Sequence, residues 1–182
     1  MFLMYKALHV QADTVWTVRE QRSSPELLDH LQELLRLQGG LCAATGIEMQ
    51  WWKGCDPARS ISIAKVDAKR PREAGNVALV CSWVSNIANI VGLSKLRHFT
   101  EMWVENFHLC GEPGRCALTG VPLSDPTDPR WTRPSLDRID NSLSHDVKSN
   151  LRETCLWANL AKGPCSDYEF YWWLNAIWCY QS

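Results

Sequence analysis

The chain has 182 residues, of which 46% are hydrophobic and 21% charged, with a formal net charge of −1. That length and composition suffice for a buried core, in one domain or two small ones, and exclude an intrinsically disordered chain. The near-zero charge excludes a global field that draws in nucleic acid, so any such binding must use a local patch.

From the N-terminus, MFLMYKALHV has neither a long apolar h-region nor a small-residue cleavage site. The longest apolar stretches, such as 76–83, fall well short of the roughly 20 residues of a membrane helix. The expectation is a soluble, cytoplasmic protein with no membrane partner. In that setting the eight cysteines are expected to be reduced. The ten tryptophans, among them the pairs Trp51-Trp52 and Trp172-Trp173, are expected to serve core and helix packing more than base stacking.

After an N-terminal segment, 1–22, PELLDHLQELLRLQ (25–38) carries apolar residues at spacings of three and four and predicts a helix. GGLCAATGIEM (39–49) follows, then Asp56-Pro57, SIAKVD (62–67) and GNVALVCSW (75–83). The same series then recurs. A second periodic helix, LSKLRHFTEMWVENFHL (93–109), precedes PGRCALTGVPL (113–123), Asp128-Pro129, SLDRID (135–140) and SNLRETCLW (149–157). Cys42 aligns with Cys116, Thr45 with Thr119 and Gly46 with Gly120. Matched blocks in one order imply a duplication, with units at 23–92 and 93–182.

Within a unit, C-x-x-T-G predicts a tight turn whose glycine supplies an unusual backbone conformation. A proline-bearing loop, a short strand, a polar loop, a second strand and a helix beginning near Trp157 follow, giving a β-loop-β-α unit and an α+β fold. In SDYEFYWWLNAIWCY (166–180), Ser166 with Glu169 three residues on has the capping-box arrangement, and the aromatic stripe is expected to pack over the sheet.

The second unit resembles the HNH (ββα-metal) endonucleases, in the phage-type branch with C-x-x-T-G, S-[IL]-D-R-I-D, an Asn-led strand and N-x-x-K. The residues that carry the resemblance are Cys116, Thr119, Gly120, Ser135, Leu136, Asp137, Arg138, Ile139, Asp140, Asn150, Cys155, Asn159 and Lys162. It covers roughly 115–163, and 41–90 in degenerate form. The resemblance implies a phage or mobile-element endonuclease that cleaves DNA with Mg²⁺ or Mn²⁺. Asp137 and Asn159 would be the metal ligands, because carboxylate and amide oxygens suit a hard cation. Asn150 would brace the loop that presents the base.

The family's usual base histidine sits where this chain has Arg138. Arginine stays protonated and cannot accept water's proton, but it can clamp a phosphate. His145, in the same loop, is then the local candidate for a base. For Asp137 the alternative is an ion pair with a neighbouring arginine, and for His145 it is simple solvation.

In the first unit Ala64 stands opposite Asp137, Lys65 opposite Arg138, and Ser85 or Asn86 opposite Asn159, so a hard-metal site is not expected there. Residues 51–75 nevertheless hold six basic residues (Lys53, Arg59, Lys65, Lys69, Arg70, Arg72) against three acids. Lys65, Lys69, Arg70 and Arg72, with Lys162 of the second unit, are the candidate contacts to a nucleic-acid backbone. Structural zinc is not expected, because each C-x-x-C pair keeps only one cysteine and two sulfurs do not fill a tetrahedral site. The competing function is a catalytically inactive HNH scaffold that binds DNA or inhibits a host defence enzyme.

Overall fold

The computed structural model describes residues 25–50, 56–127 and 131–181. The N-terminal segment 1–22, Trp51, Trp52, Lys53 and Asp128-Pro129 lie outside the described residues. The fold is α+β, in two compact units that divide between Leu93 and Ser94. Among the described residues, no helix is long and apolar enough to cross a membrane.

In the first unit, helix α1 (Pro25–Gln38) buries Leu27 and Leu31 and packs on a two-stranded sheet. Its last residue joins helix to strand. Gln38 Nε2 donates to Leu79 O at 2.9 Å, while Leu79 N donates to Gln38 Oε1 at 3.2 Å. Strands β1 (Ile61–Lys65) and β2 (Val77–Cys81) are antiparallel, with Ile61 opposite Cys81. Helix α2 (Ser82–Val91) starts directly after β2 and buries Trp83, Val84, Ile87, Ala88 and Val91 against the sheet. It stops at Gly92, φ 88°, where an added Cβ would lie 2.8 Å from Val66 O.

The second unit follows the same plan. Helix α3 (Leu96–Asn106) is followed by the turn at 116–120, then β3 (Pro134–Arg138), β4 (Leu151–Cys155), α4 (Leu156–Lys162) and α5 (Asp167–Gln181). The two C-x-x-T-G turns repeat bond for bond. Cys42 N donates to Ile47 O and Gly46 N to Cys42 O, while Cys116 N donates to Val121 O and Gly120 N to Cys116 O. Each turn is tied to the second strand of its own unit, through Ala43 N to Leu79 O and Ala117 N to Glu153 O.

The capping box at α5 is formed: Ser166 N donates to Glu169 Oε2 at 2.7 Å, and Glu169 N to Ser166 Oγ at 3.3 Å. The buried stripe of α5, Phe170, Trp173, Leu174 and Ile177, does not lie over the sheet as expected. It packs chiefly on α3 and secondarily on α4, because the sheet has only two strands and its helical cover is already in place. Trp103 of α3 stacks on Tyr171 with ring centroids 6.4 Å apart.

Candidate functional site

Strand β3 has one buried residue, and it is an aspartate. Asp137 is 2% exposed. The antiparallel register sets it opposite Arg152 of β4, and directly opposed side chains share a face of the sheet. Arg152 Nε donates to Asp137 Oδ2 at 2.9 Å, and Nη2 lies 2.8 Å from the same oxygen. Lys162, at the end of α4 and 0% exposed, takes the other oxygen: its Nζ donates to Asp137 Oδ1 at 3.1 Å and to Arg138 O at 2.9 Å.

Arg152 extends the cluster to α5. Its Nη1 donates to Asp167 Oδ2 at 2.6 Å and its Nη2 to Asp167 Oδ1. Burial acts to lower the Arg152 guanidinium, but its bonds to Asp167 and Asp137 outweigh that and raise it. The same bond holds the Asp167 carboxyl below the usual carboxylate range. Two acids and two bases thus form a chain of ion pairs with no formal charge left over.

In this arrangement both expected metal ligands, Asp137 and Asn159, are engaged by neighbouring side chains and backbone. Both oxygens of Asp137 already face cations, so a divalent ion would have to displace Lys162 and stand beside Arg152. Asn159 turns its amide nitrogen inward, donating to Ser135 Oγ and Leu136 O at 2.8 Å each, which ties α4 to β3.

Among its described residues the first unit has no such cluster, and the register shows what replaces it. Counting from the paired positions Ile61–Cys81 and Pro134–Cys155, Ala64 opposite Ala78 stands where Asp137 opposes Arg152. Both helices begin right after the strand cysteine, so Ala88 stands where the second unit has Lys162. All three charged side chains are exchanged for alanines together.

The loops between the strands share one frame. Asn150 is buried, accepts from Asp140 N at 2.8 Å and donates to Asp140 O at 2.8 Å, closing the loop at its base. Asn76 does the same with Asp67, at 2.9 and 3.1 Å. Arg138 Nη1 donates to Asn141 O and Leu143 O at 3.2 Å each, and its counterpart Lys65 donates from Nζ to Ala68 O. These two cations therefore brace loop carbonyls. His145 is exposed on this loop and, among the described residues, makes no bond to the Asp137 cluster.

Of the expected nucleic-acid contacts, Lys69, Arg70 and Arg72 are exposed on the 66–76 loop. Arg70 pairs with Glu73 at 2.9 Å and Arg72 Nη2 donates to Asn89 Oδ1 at 3.2 Å, while among the described residues the Lys69 side chain has no partner. Lys65 is half-buried against Ala68 O. Lys162 is enclosed in the cluster, so its ammonium cannot reach a phosphate backbone.

The turn cysteines form two buried thiol pairs, Cys42 with Cys81 and Cys116 with Cys155. Cys81 N also donates to Cys42 Sγ at 3.3 Å, and Thr119 Oγ1 lies 3.7 Å from Cys155 Sγ. The shared hydrogen bond lowers its acceptor, Cys42 or Cys116. It leads in raising Cys81, and for Cys155 burial comes first and the bond second.

No family model, no curated protein and no solved structure matches the chain. The sequence reading misses Arg152, Asp167 and Asn89. Asn89 Nδ2 donates to Ile63 O at 3.2 Å, the first-unit counterpart of the Asn159 bond to Leu136 O, from one helical turn beyond Ser85. The signal for Arg152 is present only once the register is known. Asn76 is visible in the matched blocks GNVALVCSW and SNLRETCLW.

Proposed function

We propose that the chain is a nucleic-acid-binding protein built on two HNH-like units and that it does not hydrolyse its partner. The observation that carries this reading is the neutralised carboxylate: Asp137 has Lys162 on one oxygen and Arg152 on the other. Cations on both oxygens of that carboxylate disfavour Mg²⁺ there, and Arg138 beside it accepts no proton. What remains of the family's chemistry is its affinity for a phosphate backbone. The exposed Lys69, Arg70 and Arg72 supply the local cationic surface that a near-neutral chain needs.

DNA is the partner to test. Purified protein is incubated with labelled duplex in EDTA across a range of salt, and with supercoiled plasmid in Mg²⁺ or Mn²⁺. The expected result is salt-sensitive binding in EDTA with the plasmid left intact. Plasmid cleavage that Asp137→Ala abolishes would restore the endonuclease reading. A second reading, a scaffold that binds a host protein, is favoured by the apolar side chains the second unit exposes, among them Leu136 at 60% and Ile139 at 49%. It takes over if no nucleic acid is bound.

A further inference from the structure

We propose that the Lys162 ammonium is the resident cation of the Asp137 centre, occupying inside the second unit the place a divalent metal ion would need. Its Nζ sits between a carboxylate oxygen, Asp137 Oδ1, and a carbonyl oxygen, Arg138 O. Those two donors are the type a hard cation takes. An ammonium on a four-carbon stem is a compact point charge that can fill the same position without being lost to solvent. Lys162 is fully buried, so its charge is compensated there or nowhere.

The first unit lacks both partners of this pair. If Asp137 were kept for a metal, losing it there would place no demand on the lysine position. If Asp137 and Lys162 answer each other's charge, neither can be buried without the other. The first unit has Ala64 and Ala88 at these two positions, both fully buried. The cross-strand arginine is gone as well, replaced by Ala78. Acid and bases are thus present as a set or absent as a set.

The test uses the full chain with Mn²⁺ as the probe, comparing wild type with Lys162→Ala, Asp137→Ala and the double variant. Thermal midpoints are measured in EDTA and in Mn²⁺, with Mn²⁺ paramagnetic broadening of the Asp137–Ile139 amide resonances as the second readout. Wild type is expected to melt at the same temperature in both and to show no local broadening. Lys162→Ala should melt lower in EDTA and recover saturably with Mn²⁺, with broadening at those amides. The double variant, carrying the first unit's residues, should be more stable in EDTA than either single variant and indifferent to Mn²⁺. A saturable Mn²⁺ shift in wild type that Asp137→Ala removes would overturn the proposal. So would a Lys162→Ala protein as stable as wild type in EDTA, or one that is destabilised and ignores Mn²⁺. Should Lys162→Ala not fold at all, a folded double variant upholds the mutual dependence and an unfolded one overturns it.

Discussion

Arg152 fastens strand β4 to the first residue of helix α5 by gripping Asp167 with both arms of its guanidinium, Nη1 on Oδ2 at 2.6 Å and Nη2 on Oδ1. The same arginine holds Asp137, so one side chain connects the sheet interior with the C-terminal helix. Asp167 is held below the usual carboxylate range by this bond. A depressed folded-state value contributes stability that is fully present above the unfolded value of about 3.9 and is lost as pH falls through the folded value. Thermal midpoints should therefore fall as the protein is acidified below about pH 4. Asp167→Asn should lower stability at neutral pH and flatten that acid limb. Some acid sensitivity should survive in the variant, because Asp140 and Glu169 are also lowered, by their bonds to Ser142 and Ser166.

Gly120 faces the end of α3 with no room to spare. A Cβ there would lie 1.9 Å from Asn106 O, and its φ of 69° is already one that other residues rarely adopt. Gly120→Ala should cost on the order of 3 kcal/mol or more in urea denaturation, since backbone must shift. Gly111→Ala has the same kind of φ, 91°, but open space around it, and should cost only about 1 kcal/mol. Equal losses at the two positions would mean that the contact with α3 is unimportant.

The loop-closing asparagines offer a matched pair of experiments. Asn150→Ala removes the acceptor of Asp140 N and the donor to Asp140 O, at a buried position. Stability should drop by about 2 kcal/mol, with hydrogen exchange accelerating at Asp140 while the amide of Cys116 stays protected. Asn76→Ala should have a parallel effect at Asp67 in the first unit, and unaltered exchange at Asp67 would count against the shared frame.

For the basic loop, pairing orders the expected effects. Among the described residues Lys69 has no partner for its ammonium, Arg70 is shared with Glu73, and Arg72 leans on Asn89. Lys69→Glu should therefore weaken DNA binding more than Arg70→Glu, and the triple reversal should flatten the dependence of affinity on salt. The exposed Arg70–Glu73 pair contributes little to folding, so the thermal midpoint should hardly move. A large loss of stability would reassign the loop to the fold.

The sequence by itself determines the elements whose signals lie within a few residues of one another. The spacing of apolar residues places α1 at Pro25–Gln38, Ser166 with Glu169 starts α5, and the matched blocks give both units their strand, loop, strand and helix order. Helix periodicity, caps and turn glycines are local chemistry, so they can be read locally. What Asp137 does is decided only by the tertiary structure. A metal ligand and an ion-pair partner are written with the same letter, and the choice depends on Arg152 and Lys162, 15 and 25 residues further along the chain. Only the pairing register of β3 with β4 and the seating of α4 bring those cations to its two oxygens. The same holds for Lys162, which is a surface cation in the sequence and a buried one in the fold, and for α5, whose partner is α3 and not the sheet. Coulomb interactions fall with distance through space, and the sequence records only distance along the chain.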